Sequence, residues 1–179
     1  MFNKKMLCTS LLLVTLLLPF NVYAEDEGFT SLHAGSIISL SAEADDMNPL
    51  YGLGIAFQKG HHRFGFDYLK GELTSEEYGA EVKNDDTLFG ATYDYIFTPV
   101  TKENPIYYGL GIGYFHEEYK IEAESGPYSI DMDLSASSFS GEAILGYKAG
   151  NIDIFARLVT FPQSENVSLA LMVGLGFAF

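Results

Sequence analysis

The chain has 179 residues, with 24 acids against 10 Lys and Arg, a net charge of −14, one cysteine and no tryptophan. Such acidity excludes a nucleic-acid binder, and the lone Cys8 excludes a disulfide framework or a thiolate metal site within the chain. Beyond residue 24 no stretch is long and apolar enough for a membrane-spanning helix, so any crossing of a bilayer has to be made by strands.

Residues 1–24 read as a secretory signal peptide. Lys4 and Lys5 form the charged start, Leu11 to Leu18 the apolar centre, and Val22-Tyr23-Ala24 the small and aliphatic residues before the cut. Cleavage near Ala24 leaves residues 25–179 as one domain, removes Cys8 and takes the net charge to −16.

Eight alternating segments follow. Because successive side chains of a strand point to opposite faces, a period of two marks a sheet with two distinct surfaces. The first strand, about 29–40, sets Leu32, Ala34, Ile38 and Leu40 against Ser31, His33, Gly35 and Ser39. The second, about 50–58, sets Tyr51, Leu53, Ile55 and Phe57 against Gly52, Gly54, Ala56 and Gln58. The third, about 62–71, sets Phe64, Phe66 and Tyr68 against Arg63, Gly65 and Asp67, and the fourth, about 86–97, sets Phe89, Tyr93, Tyr95 and Phe97 against Gly90, Thr92 and Asp94.

The fifth strand, about 105–116, carries Ile106, Tyr108, Leu110, Ile112 and Tyr114 opposite Tyr107, Gly109, Gly111 and Gly113. In the sixth, about 135–148, Phe139, Ala143, Leu145 and Tyr147 oppose Ser138, Ser140, Glu142 and Lys148. In the seventh, about 151–161, Ile152, Ile154, Ala156 and Leu158 oppose Asp153, Phe155 and Arg157. The eighth, 166–179, has an apolar face from Val167 to Phe179 and a small-residue face that includes Gly174 and Gly176.

Which face is wet decides between two folds. A soluble barrel buries the aromatic face and needs Lys, Glu and Thr on the other. Here the other face is mostly Gly, Ser and Ala with a few charges, which suits the narrow interior of an eight-stranded barrel. The aromatic face then meets lipid, with Tyr and Phe at the interfaces. The fold class expected is therefore all-β, an eight-stranded antiparallel up-and-down transmembrane β-barrel.

The connections alternate in length. Long ones at 41–49, 72–85 and 117–134, with a short 162–165, fall on one side, and 59–61, 98–104 and 149–150 on the other. Outer-membrane barrels have short periplasmic turns and longer external loops. The acids gather on the external side, as Glu72, Glu76, Glu77, Glu81, Asp85 and Asp86, and as Glu117, Glu118, Glu122, Glu124, Asp131 and Asp133. Neither run has the spacing of a calcium loop; both read as a charged, solvated surface, or as a weak site for divalent or other cationic ligands. The stretch 118–124 still alternates, so this hairpin is able to protrude as a contact surface.

Two tight turns set parity. Gly60-His61 with Lys59 facing His62 suits a type II′ turn. Ala149-Gly150 with Lys148 facing Asn151 satisfies the same rule and would place Glu142 directly opposite Arg157.

The expected interior charges are Arg63, Asp67, Asp94, Glu142, Asp153 and Arg157, with His33 nearby. Buried charges have to be paired, and the Arg fork serves more than one carboxylate. These residues read as a plug, with a gated ion path as the alternative. For a lipid-modifying enzyme the rim offers His116 with Ser135, Ser137 and Ser138, which lack a closely spaced His-x-Ser pattern. The expectation is no enzyme and no catalytic, cofactor or metal residues.

The last residues, with Gly174, Phe177 and Phe179, resemble the C-terminal targeting signal of Gram-negative outer-membrane barrels, except that Met172 stands where a polar residue is usual. The span Asn104-Pro105-Ile106-Tyr107-Tyr108-Gly109-Leu110-Gly111-Ile112-Gly113-Tyr114 is similar to the Pro-then-Gly-alternating strand of small outer-membrane β-barrel domains. Together they resemble the OmpA/OmpX type. The resemblance implies a bacterial outer-membrane location, contact with lipid and lipopolysaccharide, and assembly by the barrel-assembly machinery through the C-terminal strand. It also implies a structural or host-contact role; a narrow channel or a lipid A-modifying enzyme are the alternatives.

Overall fold

The computed structural model describes residues 28–40, 49–77, 80–101, 104–125, 128–162 and 167–179. The expected signal peptide and the connections at 41–48 and 163–166 lie outside the described residues. Eight strands run in chain order: β1 (Phe29–Ser39), β2 (Leu50–Lys59), β3 (His62–Glu77), β4 (Ala80–Ile96), β5 (Ile106–Ser125), β6 (Tyr128–Ala149), β7 (Ile152–Pro162) and β8 (Val167–Ala178). Each pairs antiparallel with its neighbours, and β1 pairs with β8 to close the barrel. The expected fold class is borne out.

The alternation read from the sequence is the alternation of the wall. Leu53, Ile112 and Phe139 point outward and are 69%, 63% and 70% exposed, whereas their neighbours Ala56, Tyr107 and Ser140 are buried. Side chains this apolar and this open need a non-aqueous surrounding, since each would otherwise forfeit about 1.5–3 kcal/mol of burial. Along β5 the outward apolar run from Ile106 to Tyr114 rises roughly 20–25 Å at the usual strand rise and tilt, the height of a membrane barrel's apolar band. Aromatic pairs bound it: Phe97 with Tyr108 below, at 5.8 Å between ring centres, and Tyr68 with Phe89 and Tyr114 with Phe139 above, at 5.0 and 5.3 Å.

The inward glycines have a steric purpose. Gly146 lies directly between Tyr107 on β5 and Phe155 on β7, and a methyl group at Gly146 would overlap the Tyr107 ring. Gly174 stands opposite Phe155 in the same way. Large interior rings therefore lie flat across neighbouring backbone, and the narrow lumen is filled by side chains.

Two expectations are corrected. The described residues of the expected connections 72–85 and 117–134 are strand: β3 and β4 pair from His62↔Tyr95 up to Glu77↔Ala80, and β5 and β6 up to Ser125↔Tyr128, the latter extending the hairpin as the alternation of 118–124 allows. The β6–β7 turn is Gly150-Asn151, not Ala149-Gly150; Ala149 faces Ile152 and Lys148 faces Asp153. Gly150 takes the left-handed φ of +56°, as Gly60 takes +54° in the β2–β3 turn, where Lys59 faces His62. Glu142 accordingly opposes Val159, and Arg157 opposes Ile144. Side-chain alternation fixes only parity, and a slip of two residues preserves parity.

Candidate functional site: a filled lumen and an external sheet

All six charged residues expected inside are buried there, as is His33. They form two clusters, each built around one arginine. Arg63 Nη2 donates to Asp153 Oδ2 across the lumen at 3.1 Å and Nη1 donates to Gln58 Oε1 at 3.4 Å. The Tyr107 hydroxyl donates to the other Asp153 oxygen at 2.7 Å. The Arg63 guanidinium also lies 5.1 Å from the centres of both the Tyr107 and Phe155 rings, close enough for cation–π attraction.

Arg157 serves three carboxyl groups from three strands. Its Nη1 donates to Asp67 Oδ2 at 3.3 Å, its Nε lies 3.1 Å from Glu142 Oε2, and its Nη2 lies 3.5 Å from Asp94 Oδ2. The last two are ion-pair contacts without the alignment of a hydrogen bond. The remaining Asp67 oxygen accepts from His33 Nε2 at 2.7 Å in the tautomer that places the proton there, and Ser140 donates to Glu142 at 3.2 Å.

The clusters tie β3, β4, β6 and β7 together through the middle of the barrel. Arg63 and Asp94 are direct cross-strand neighbours, yet Arg63 reaches Asp153 on β7 and Asp94 is reached by Arg157. Removing one partner would strand the others in a water-poor interior, at about 3–5 kcal/mol for a broken buried pair. Chemically the arrangement links residues of several strands across the barrel interior.

Tyr107, Phe155, Gln58 and Ser140 belong to these clusters and were absent from the expected set. Their signal was available: Tyr107 is a large residue on the inward face that goes on to Gly109, Gly111 and Gly113, and Phe155 sits between Asp153 and Arg157 on the same face. Glu142 and Arg157 do meet, but diagonally, by the reach of the Arg side chain.

Above the aromatic ring, β3 to β6 continue as a four-stranded sheet. The β2–β3 ladder ends at Tyr51↔Lys70 and the β6–β7 ladder at Gly141↔Thr160, so among the described residues the extension has two open edges. Its outer surface is charged: Lys120 pairs with Glu122 and lies 3.9 Å from Asp131, and Lys83 lies 3.6 Å from Asp85. Hydrogen bonding to Glu122, with Asp131 nearby, raises the Lys120 pKa. Its inner surface pairs Tyr119 with Leu134, Ile121 with Met132 and Ala123 with Ile130. At the mouth below, burial and the adjacent Glu117 push the Asp86 carboxyl up to about 6.

At the outer rim His116 and Ser137 are directly opposed, with His116 Nδ1 2.8 Å from Ser137 Oγ and Nε2 3.6 Å from Glu118. Ser135 is also outward, while Ser138 has the inward parity. Among the described residues no group of three His, Cys, Asp or Glu side chains is placed to hold a metal ion.

Comparison with solved structures bears on the architecture as a whole. Ail, the attachment invasion locus protein of Yersinia pestis, solved with the heparin analogue sucrose octasulfate, superposes with a TM-score of 0.60 at 16% identity, over 86% of this chain and 99% of that one. The N-terminal β-barrel domain of Pseudomonas aeruginosa OprF gives 0.53 at 17% identity, over 87% and 100%. The fold is that of a small eight-stranded outer-membrane barrel. No protein-family description and no curated protein matches the sequence.

In this barrel the C-terminal strand is the closing strand. Phe179 donates its N–H to Thr30 O at 2.9 Å and accepts from Thr30 N–H at 3.1 Å. Phe177 and Phe179 point outward, 58% and 66% exposed, and Gly174 points inward under the Phe155 ring.

Proposed function

We propose that this chain is an outer-membrane barrel of a Gram-negative bacterium, exported by a signal peptide cut near Ala24 and assembled through its C-terminal strand. In this reading the lumen is closed by Arg63, Asp67, Asp94, Glu142, Asp153 and Arg157, and the barrel serves as a rigid base for an external contact surface facing lipopolysaccharide and other cells. One observation carries it: β3 to β6 run on as paired strand well past the outward aromatic ring. A barrel that needed only to span would end there.

Ail is named for attachment and was solved with a sulfated sugar analogue. The external surface here carries Asp85, Glu118, Glu122, Asp131 and Asp133 against Lys83 and Lys120, so its fit is to a cationic partner rather than to a sulfated one. Replacing residues 119–134 by a tight turn is expected to leave a folded barrel and to abolish attachment of expressing cells to a protein-coated surface. Unchanged attachment would refute the contact role. In a planar bilayer the intact protein is expected to show no steady conductance, which separates this reading from a narrow channel.

The His116–Ser137 contact favours a second reading, an esterase acting on outer-leaflet lipid, with Ser137 as nucleophile, His116 as base and Glu118 as its orienting acid. A fluorophosphonate serine probe would label Ser137 if this holds; an unlabelled protein removes it.

A further inference from the structure

We propose that Lys59, His62 and Tyr95 form a site for the phosphate of an anionic phospholipid, at the end of the barrel opposite the external sheet. The inference rests on the membrane placement proposed above and names one lipid contact within it.

Backbone pairing brings the three residues together. Lys59 and His62 face each other across the β2–β3 turn, and His62 faces Tyr95 on β4. All three are exposed on the outer surface. Directly paired strand residues have Cβ atoms about 5 Å apart, so a long lysine, an imidazole and a phenol in one row can reach one phosphate. Each has a donor to offer: an ammonium, an Nε2–H and an O–H.

Two of the three are held by their neighbours. The Ile96 N–H donates to His61 O at 2.7 Å, and His61 Nδ1 donates back to Ile96 O at 2.6 Å, since a carbonyl only accepts. The His61 ring, fixed in this way, stacks on Tyr95 at 5.3 Å and 10°. His62 stands edge-on to the same ring, at 6.0 Å and 83°, with Nδ1 2.9 Å from the Tyr93 hydroxyl. When that hydroxyl donates, or when the imidazole is protonated, Nε2 carries a hydrogen; an anion selects these two forms.

The row lacks a counter-charge. Among the described residues of this end, 55–66 and 91–101, the sole acid is Asp94, which is buried in the lumen. Lys59 directly opposite a protonated His62 is an unfavourable pair by itself, and an anion shared between them makes the arrangement favourable.

The adjoining row marks the anion as a lipid. One step toward the middle of the barrel, Phe57, Phe64 and Tyr93 are paired in the same order. Phe64 is 48% exposed and its ring lies 5.1 Å from that of Tyr93, which offers apolar surface to acyl chains below a bound headgroup. Phosphatidylcholine and phosphatidylethanolamine carry a cation beside the phosphate, which would meet Lys59. Phosphatidylglycerol carries none, and basic side chains at a membrane surface favour such anionic lipids.

The test uses the full protein in nanodiscs of phosphatidylcholine with and without phosphatidylglycerol. Native mass spectrometry of barrels released from mixed discs is expected to find phosphatidylglycerol retained about tenfold beyond its share, roughly what one charge-assisted hydrogen bond supplies. The His62 imidazole signals should shift when phosphatidylglycerol is present. Lys59→Gln should remove the enrichment, Lys59→Arg should keep it, and Lys120→Gln in the external sheet should leave it unchanged. If Lys59→Gln does not fold, His62→Phe decides, since it keeps a ring, deletes the donor and should lose the enrichment.

Equal retention of the two lipids, or enrichment that survives Lys59→Gln, would overturn the proposal. So would an equal His62 shift on adding inorganic phosphate to pure phosphatidylcholine discs, which would assign the site to soluble phosphate. Phosphatidylcholine spin-labelled at its headgroup separates this failure from that of the membrane placement. Broadening at His62 without phosphatidylglycerol enrichment rejects the site and keeps the placement; no broadening at His62 rejects both.

Discussion

The membrane-level barrel and the sheet above it are built from the same four strands, with unbroken side-chain phase, yet their faces are reversed. Along β5 the outward residues Ile106 to Tyr114 are apolar, and the outward residues Glu118, Lys120 and Glu122 that follow are charged. Inward, charges and rings at barrel level give way to Ile121, Ala123, Met132 and Ile130 above it. Neither phase nor backbone changes; the surroundings do. Lipid outside and a filled lumen inside select one pattern, while water on the outer surface of an unclosed sheet selects the other.

The largest expected break in this contrast is at Arg157. Arg157→Ala strands Asp67, Asp94 and Glu142 inside the barrel and should lower stability by about 3–5 kcal/mol, read as a lower unfolding temperature of the folded band in gel-shift assays. The same truncation at Lys120, in the external sheet, should leave that temperature unchanged, because its ion pairs are open to solvent. An unaltered transition in Arg157→Ala would remove the interior network from the account.

Next in size is a charge placed on each surface. Ile112→Lys puts an ammonium at the lipid face and should reduce stability by about 2–4 kcal/mol in bilayer unfolding experiments. Met132→Lys, equally an exposed apolar position, should be nearly neutral because it meets water. Equal penalties at both positions would mean that the reversal of faces does not mark the membrane boundary.

A smaller steric effect belongs to the barrel alone. Gly146→Val forces the Tyr107 ring off the backbone it covers and should lower stability by about 1–3 kcal/mol, seen as a reduced denaturation midpoint.

The smallest effect sits where the two regions meet. Asp86 is raised to about 6 by burial and then by Glu117, so the folded state holds this proton more tightly than the unfolded chain does. Between its ordinary value near about 4 and about 6, stability contributed at this position therefore falls as pH rises. The external β4–β5 amide signals should persist to higher temperature at about pH 5 than at about pH 7, and Asp86→Asn should flatten that difference.

How much of this was legible in the sequence follows the same division. Below the aromatic ring, apolar residues keep one parity for whole strands, so the eight strands, their facing and the interior charges could all be read. Above it the parity of the apolar residues switches, and 72–85 looks like a loop although β3 and β4 pair from Glu72↔Asp85 to Glu77↔Ala80. The β6–β7 register was illegible for another reason: Ala149-Gly150 and Gly150-Asn151 satisfy parity equally, and the ladder pair Ala149↔Ile152 is what separates them. Contacts across the lumen, such as Arg63 with Asp153, depend on barrel closure, which no local pattern encodes.

One strand, β5, passes from lipid to water while keeping its phase. Spin labels placed one at a time at the outward positions of β5, from Ile106 to Glu122, test it directly in bilayers, using dissolved oxygen as the lipid-side relaxant and a nickel chelate as the aqueous one. Relaxation is expected to be oxygen-dominated through Tyr114 and chelate-dominated from Glu118 onward, with the crossover at His116. Uniform relaxation along the strand, or a crossover below Ile112, would contradict it.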